Sequence, residues 1–361
     1  MAETLLTLRD VLVNYGNLVA LQIAALDLHR REMLAIIGPN GSGKSTLLRV
    51  IGLLQRPTTG TVLFRGEHAF DGNSLQLRRR IATVFQEPLL LNATVYENAA
   101  LGLTLRGVAS SEISRRLEPW LERLGIAHLR RRRVRSLSGG EAQRTSLVRA
   151  LVLEPEILLL DEPFAALDPT SREALLRDFQ PIIKNSGMTT VFVTHDRDEA
   201  FSLSGRVGVL HQGRLLQIGA HEDVFRHPAS EAAAEIVGVD NRLSGVVEDC
   251  KDELTILRVN QYELRVHGRF RKGAKVIVCL RPEDVVLSRG SGESSNSNRL
   301  SGKITAVSTG VMHKRITLDC GGIQVVALMN RKECLLGLGI AEGDEVTATF
   351  SSAAPHVIAD L

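Results

Sequence analysis

No stretch of this chain approaches the roughly 18–20 consecutive apolar residues that a membrane-spanning helix requires, and the longest candidates, such as Ile157-Leu158-Leu159-Leu160, end in charge. If the protein works at a membrane, something else must cross it. A surplus of one charge is missing too: 44 basic against 41 acidic residues leave a net charge of +3. That balance argues against a chain whose main partner is a nucleic-acid phosphate backbone. Cysteine is scarce and confined to the last third as Cys250, Cys279, Cys320 and Cys334. None falls in a C-x-x-C pair or at metal-ligand spacing, which leaves reduced core thiols. The N-terminal MAETLLTLRD has acidic residues and no basic flank before a long apolar run. It does not read as a secretory signal, and a cytosolic chain is expected.

What is present has two textures. A chain of 361 residues favours two or three domains, at roughly 100–200 residues each. From Leu5 to about Val239, short apolar runs alternate with helical patterns, and Met33 to Ile37, Ile81 to Phe85, Ile157 to Leu160, Thr190 to Thr194 and Val207 to Leu210 read as buried strands. Such alternation indicates a parallel sheet covered by helices. Between Glu87 and Leu137 the strands stop and the sequence turns helical and arginine-rich, as expected of a helical insertion. After Asp240 come short β-type runs separated by glycines: Thr255 to Val259, Lys275 to Leu280, Arg315 to Leu318, Ile323 to Met329 and Glu345 to Phe350. They suggest a small barrel or sandwich. The segment SRGSGESSNSN, Ser288 to Asn298, reads as a flexible linker from its composition and divides this region into halves, each opened by the same pentapeptide, NRLSG, at Asn241 and again at Asn298.

Two motifs carry chemistry. Gly38-Pro39-Asn40-Gly41-Ser42-Gly43-Lys44-Ser45-Thr46 fits G-x-x-x-x-G-K-[ST], directly after one predicted strand and before a helical run. Glycines let the backbone wrap phosphates so that amide N–H groups and the helix N-terminus face the negative charge. Lys44 would reach the β- and γ-phosphates, and the Ser45 hydroxyl would ligate Mg²⁺. The apolar strand ending in Asp161-Glu162 brings two carboxylates to the edge where open α/β sheets bind ligands. Asp161 would hold the metal through water, and Glu162 is placed to polarise the attacking water.

Leu137-Ser138-Gly139-Gly140-Glu141-Ala142-Gln143-Arg144, just before the Asp161-Glu162 strand, resembles the signature of ABC-transporter ATPases. Gln86 resembles that family's Q-loop glutamine, Ala165-Ala166-Leu167-Asp168 its D-loop, His195 its switch histidine and Tyr15 the aromatic that stacks on adenine. The resemblance covers about residues 3–240. It implies an α/β P-loop domain over 1–240, with a parallel core, an N-terminal antiparallel β part and a helical subdomain at about 87–145. It further implies ATP and Mg²⁺ as cofactors, the metal held by Ser45, Gln86 and Asp161. Glu162, His195 and Gln86 are the catalytic set, and Ser138, Gly139, Gly140 and Asp168 join the phosphate loop in binding nucleotide. Two copies are expected to dimerise head to tail, so that ATP on Lys44 of one meets Ser138 and Gly140 of the other. The implied partners are integral-membrane permease subunits at the cytoplasmic face, where a coupling helix meets the insertion after Gln86, and indirectly an extracytoplasmic substrate-binding protein. No nucleic acid is expected. A soluble ABC ATPase acting on nucleic acid or ribosomes is disfavoured by the single cassette, and an exporter by the β-type tail. Arg130 to Arg133 read as a solvated face rather than a contact with anionic lipid.

The tail, 241–361, resembles the TOBE domains of importer ATPases through Arg281-Pro282-Glu283-Asp284-Val285. Its halves are expected at 241–290 and 298–361, in an all-β, OB- or mop-like fold. The second half resembles the mop module of molybdate- and tungstate-binding proteins, matching at Asn298, Leu300, Gly302, Leu336-Gly337-Leu338, Gly343 and Val346. Ser297 (Asp240 in the first copy) replaces the motif's arginine, and Ser351 stands where lysine is usual. Both changes remove positive charge. Backbone amides with Ser301 or Lys303 could still take an anion; a β-domain used for dimer contacts is the alternative. The resemblance implies ATP hydrolysis driving an importer, with molybdate or tungstate as the preferred cargo and sulfate, polyamine, iron or sugar as competitors.

Overall fold

The computed structural model of the chain describes residues 3–72, 74–251, 253–289, 297–310, 313–330 and 339–359. Cys334, Leu336-Gly337-Leu338 and the middle of the serine-rich segment lie outside the described residues. The chain divides into two compact units, Met1–Val224 and Phe225–Leu361. That division precedes the change of texture at Asp240. Its cause is local: the carbonyls of Phe225 and Pro228 accept hydrogen bonds from Arg281 and His356 of the second unit.

In the first unit β1 (Thr4–Tyr15) and β2 (Leu18–His29) form an antiparallel hairpin, followed by β3 (Met33–Ile37), α1 (Lys44–Ile51), β4 (Thr59–Phe64), β5 (Glu67–His68), α2 (Ser74–Arg78) and β6 (Ile81–Val84). The stretch read as a helical subdomain, about 87–145, holds α3 (Val95–Leu105) and α4 (Ser110–Arg123) and only the first half of α5 (Gly139–Leu151), which runs past its expected end. Then come β7 (Ile157–Asp161), α6 (Pro169–Ser186), β8 (Thr189–Thr194), α7 (Arg197–Leu203), β9 (Arg206–His211) and β10 (Arg214–Ala220). These strands join one sheet in the order β5-β4-β1-β2-β10-β9-β3-β8-β7-β6. Its section from β9 to β6 is parallel, and β1, β2, β4 and β5 form an antiparallel flank.

Every residue of β8 and the apolar run of β7 are buried. Strands covered on both faces lose the alternation of polar and apolar residues, which is why they stand out in the sequence as unbroken runs. The parallel register aligns Ile37 with Thr194, Asp161 with Val193, and Val84 with Leu160. The segments beginning at Gly38, Glu162, His195 and Phe85 therefore leave the sheet at one edge. Phe85 itself lies outside β6 and is exposed. Helices begin there on side-chain caps: Ser138 and Glu141 form a reciprocal capping box for α5, and Asp168 caps α6 with Pro169 in the first turn.

The division between units falls inside α8 (His221–Arg226); α9 (Glu231–Val237) follows. The second unit then runs β11 (Asn241–Lys251), β12 (Leu254–Val259), β13 (Tyr262–His267), β14 (Lys275–Leu280), β15 (Val286–Ser288), β16 (Ser297–Thr309), β17 (His313–Asp319), β18 (Gln324–Asn330), β19 (Glu345–Ser351) and β20 (His356–Ala359). One sheet is ordered β13-β12-β11-β14-β20 and the other β18-β17-β16-β19-β15. The halves repeat each other strand for strand and exchange their last strands. A single core with Leu243, Val278, Leu300, Ala348 and Val357 joins the sheets.

The NRLSG repeat marks the first strand of each half. Its leucines, Leu243 and Leu300, point into that core. Its asparagines are buried and reach across to the other half. Asn241 donates to the Val326 carbonyl (2.9 Å) and accepts the Val326 N–H (2.6 Å); Asn298 does the same with Arg265, at 2.9 and 2.6 Å. The glycine of the second copy is fixed by crowding, since a Cβ on Gly302 would sit 2.5 Å from the Asp319 carbonyl oxygen. The pentapeptide is a lock between two interleaved sheets.

Candidate active site

The phosphate loop, residues 38–43, joins the buried end of β3 to α1. Gly41 and Gly43 take φ values of +78° and +100°, which favour glycine. A Cβ on Gly38 would lie 2.1 Å from the Leu210 carbonyl oxygen, so this position has no room for a side chain either. Pro39 and Asn40 are exposed, and Thr46 is buried on α1. Lys44 is buried to 6% exposure and donates to the carbonyls of Gly38 (2.9 Å) and Pro39 (3.1 Å). Its Nζ is 3.7 Å from Glu162 Oε1. Burial pulls the Lys44 pKa below its ordinary value, and the Glu162 and Asp161 carboxylates oppose that shift.

Asp161, at the tip of β7, accepts the Ser45 hydroxyl at 3.4 Å. Burial pushes its carboxyl pKa up. A hydroxyl and a carboxylate converging here are the oxygen donors that a hard divalent cation takes. The Ser42 hydroxyl oxygen is buried with no hydrogen-bond partner. A buried polar atom left unpaired, beside glycines where a Cβ would collide and a lysine whose charge is desolvated, fits a bound phosphate chain. The residues present thus fit both a nucleotide and its metal.

Glu162 stands in the left-handed region at φ 44°, held by its N–H to the Val193 carbonyl (3.0 Å). Its Oε2 is 3.0 Å from His195 Nδ1. The carboxylate is 14% exposed and the imidazole 57%. Sequence reasoning placed both residues at this edge; their direct bond is visible only in three dimensions.

Tyr15, at the end of β1, is half exposed and its hydroxyl donates to Gln55 at 2.6 Å, leaving the ring open to solvent. Gln86 emerges two residues after β6, exposed at the same sheet edge. The signature is built separately. Ser138 Oγ accepts the Glu141 N–H at 3.3 Å, and Glu141 returns a bond to the Ser138 N–H at 2.7 Å. A Cβ on Gly139 would approach the Ala166 carbonyl, and one on Gly140 the Ser171 side chain. These residues thus stand beside the segment carrying Asp168, whose Oδ1 accepts the Ser171 N–H at 3.0 Å. Sequence reasoning missed Arg172, Asp196 and Glu199, which bind one another around His195. The Asp-x-x-Glu spacing at Asp196 was the available signal, since it is a helix-start pattern.

In the second unit Ser301, Gly302 and Lys303 border a shallow hollow of ≈ 430 Å³. Lys303 stands opposite Asp319 on β17 and Glu345 on β19. Two carboxylates beside one ammonium oppose the binding of an anion. Asp240, at the position of the missing arginine, is paired with Arg315 at 2.8 Å. A larger cleft in the first unit, ≈ 710 Å³ and lined by Arg30, Trp120, Glu156 and Thr189, lies at the N-terminal ends of β3, β7 and β8, away from the phosphate loop.

Two family models match the chain, one described as ABC transporter over residues 21–165 and one as TOBE domain over residues 294–357. The molybdate/tungstate import ATP-binding protein WtpC of Pyrococcus horikoshii is 38% identical over 92% of this chain and 94% of its own. The spermidine/putrescine import ATP-binding protein PotA of Clostridioides difficile is 34% identical over 93% and 94%. The sulfate/thiosulfate import ATP-binding protein CysA of Xylella fastidiosa is 39% identical over 79% and 81%. Among solved structures, cbiO1 from Clostridium perfringens, described as part of the ABC transporter complex cbiONQ, aligns with a TM-score of 0.58 and 31% identity, covering 66% of this chain and 96% of that one.

Proposed function

The chain belongs to the import ATP-binding subunits of ABC transporters, and from that premise we propose that its ATP hydrolysis drives uptake of molybdate or tungstate. The observation that carries the hydrolytic reading is the convergence at one sheet edge of Lys44, the Ser45–Asp161 pair and the Glu162–His195 pair. Lys44 and the loop amides bind the β- and γ-phosphates, with Tyr15 against the adenine. A Mg²⁺ ion on Ser45, Asp161 and Gln86 would offset phosphate charge. Glu162 takes a proton from the attacking water on its carboxylate, and His195 holds the γ-phosphate side of the site.

The signature supports a two-copy site. Ser138, Gly139 and Gly140 begin a capped helix beside Asp168 of their own chain. In a head-to-tail dimer that helix N-terminus faces the ATP on the other copy's Lys44, so nucleotide becomes the bridge and hydrolysis reopens it. No described helix is long and apolar enough to cross a membrane. Integral-membrane permease subunits therefore supply the path, with this chain at their cytoplasmic face and a substrate-binding protein delivering cargo from the other side.

The cargo assignment rests on the mop-like second half and on the WtpC relatives. The second unit serves dimer contacts rather than anion sensing, given the carboxylates around Lys303. The test is ATPase activity of the reconstituted complex with binding protein loaded with molybdate, tungstate, sulfate or spermidine. Molybdate or tungstate should stimulate turnover; stimulation by sulfate or spermidine alone overturns the cargo. Calorimetric titration of the full chain with molybdate should give no heat of binding, and saturable binding would return the anion site to the tail.

A further inference from the structure

His195 sits between two residues that are both tied down. Thr194 Oγ1 donates to Glu199 Oε2 at 2.5 Å and accepts the Asp196 N–H at 3.0 Å. Asp196 caps α7 by accepting the Glu199 N–H at 3.0 Å. One guanidinium closes the ring: Arg172 donates from Nε to Glu199 Oε1 at 2.8 Å and from Nη2 to Asp196 Oδ2. Glu199 is 5% exposed, so its charge has little water to rely on. Arg172 is itself anchored, its N–H bonded to the carbonyl of Asp168, the cap of α6. The D-loop end of α6 and the backbone flanking His195 are thus joined through a single planar fork, a geometry a lysine cannot reproduce.

We propose that Arg172 is a positioning residue for hydrolysis, clamping the Thr194–Asp196 turn to the N-terminus of α6 so that His195 meets Glu162 and the γ-phosphate in register. The proposal rests on the reading of His195 given above. It makes the D-loop end of α6 mechanically continuous with the histidine: movement at Asp168 reaches His195 through the fork.

The test is a double-mutant cycle on the full chain, with steady-state ATPase and thermal melts for Arg172→Met, Arg172→Lys, His195→Ala and the Met/Ala double variant. Arg172→Met should lower kcat about 10- to 100-fold with KM for ATP little changed, since a misplacement of the order of 1 Å costs about that much. Arg172→Lys should recover only part of the loss. In the His195→Ala background, Arg172→Met should cost no more than about twofold, the mark of two residues acting through one another. Full additivity overturns the proposal while leaving His195 in its role, and so does a rise in KM alone. Normal turnover in His195→Ala overturns the reading of the histidine and the proposal with it. If Arg172→Met melts below the assay temperature, Asp196→Asn replaces it in the cycle, since Glu199 keeps its arginine; the same outcomes decide.

Discussion

Both units of the chain bury polar side chains, and the phosphate-loop edge of the first unit differs from the seam between the halves of the second in what those side chains bond. In the second unit Asn241 and Asn298 spend their amides on backbone groups of the opposite half, and the Thr255 hydroxyl donates to the Gly268 carbonyl. In the first unit the Ser42 hydroxyl has no partner, Lys44 holds only loop carbonyls and a distant carboxylate, and Ser45 meets Asp161 at the outer limit of a hydrogen bond. Satisfied buried polar groups specify a fold. Unsatisfied ones gathered at a strand edge mark a place where something else binds.

That contrast predicts where a substitution costs activity and where it costs stability. The largest effect belongs to Glu162→Gln, which should reduce phosphate release by about 1,000-fold, within the range of a general base, while ATP binding persists; an ordinary hydrolysis rate in the purified variant would assign the base elsewhere. Lys44→Ala should weaken ATP binding by at least about tenfold, as loss of a charge-assisted bond of about 1.5–3 kcal/mol implies. Equilibrium binding of a fluorescent ATP analogue measures it.

Across the comparison, Asn298→Ala should leave kcat unchanged and destabilise the second unit. The Arg265 N–H and carbonyl would each lose a partner across the halves, at about 0.5–1.5 kcal/mol per hydrogen bond. Denaturant melts and faster hydrogen exchange at the Arg265 amide report it; a loss of turnover at normal stability would break the contrast. The smallest effect is on thiol chemistry. Burial pushes Cys279 and Cys320 up to about 11, so at pH 8 few of these thiols are ionised and reactive. Peptide mapping after brief iodoacetamide treatment should find both less labelled than the half-buried Cys250.

How much of this was legible in the sequence varied with the kind of interaction. The ends of β3 and β14 coincide with the apolar runs that announced them, because a covered strand must be apolar throughout its buried length. The phosphate loop was legible because glycine is required at fixed offsets by backbone geometry. β15 and β20 were not legible. Three and four residues long, they hold their places by pairing with strands of the other half, and no local pattern encodes such a partner. The Arg172 clamp escaped for the same reason: Arg172 and Glu199 are far apart in the chain, and each looks like an ordinary surface charge.

The sequence by itself determined the class of chemistry, the order of the motifs along one cassette, and the existence of two related β-halves behind it. These follow from local rules: glycine spacing, strand apolarity and repeated residues. Only the tertiary structure decided that the halves interleave, that the NRLSG asparagines lock them, and that Glu162 bonds His195. Each depends on groups distant in sequence meeting at hydrogen-bonding distance. Such meetings are set by sheet register and shared burial, which no single segment contains.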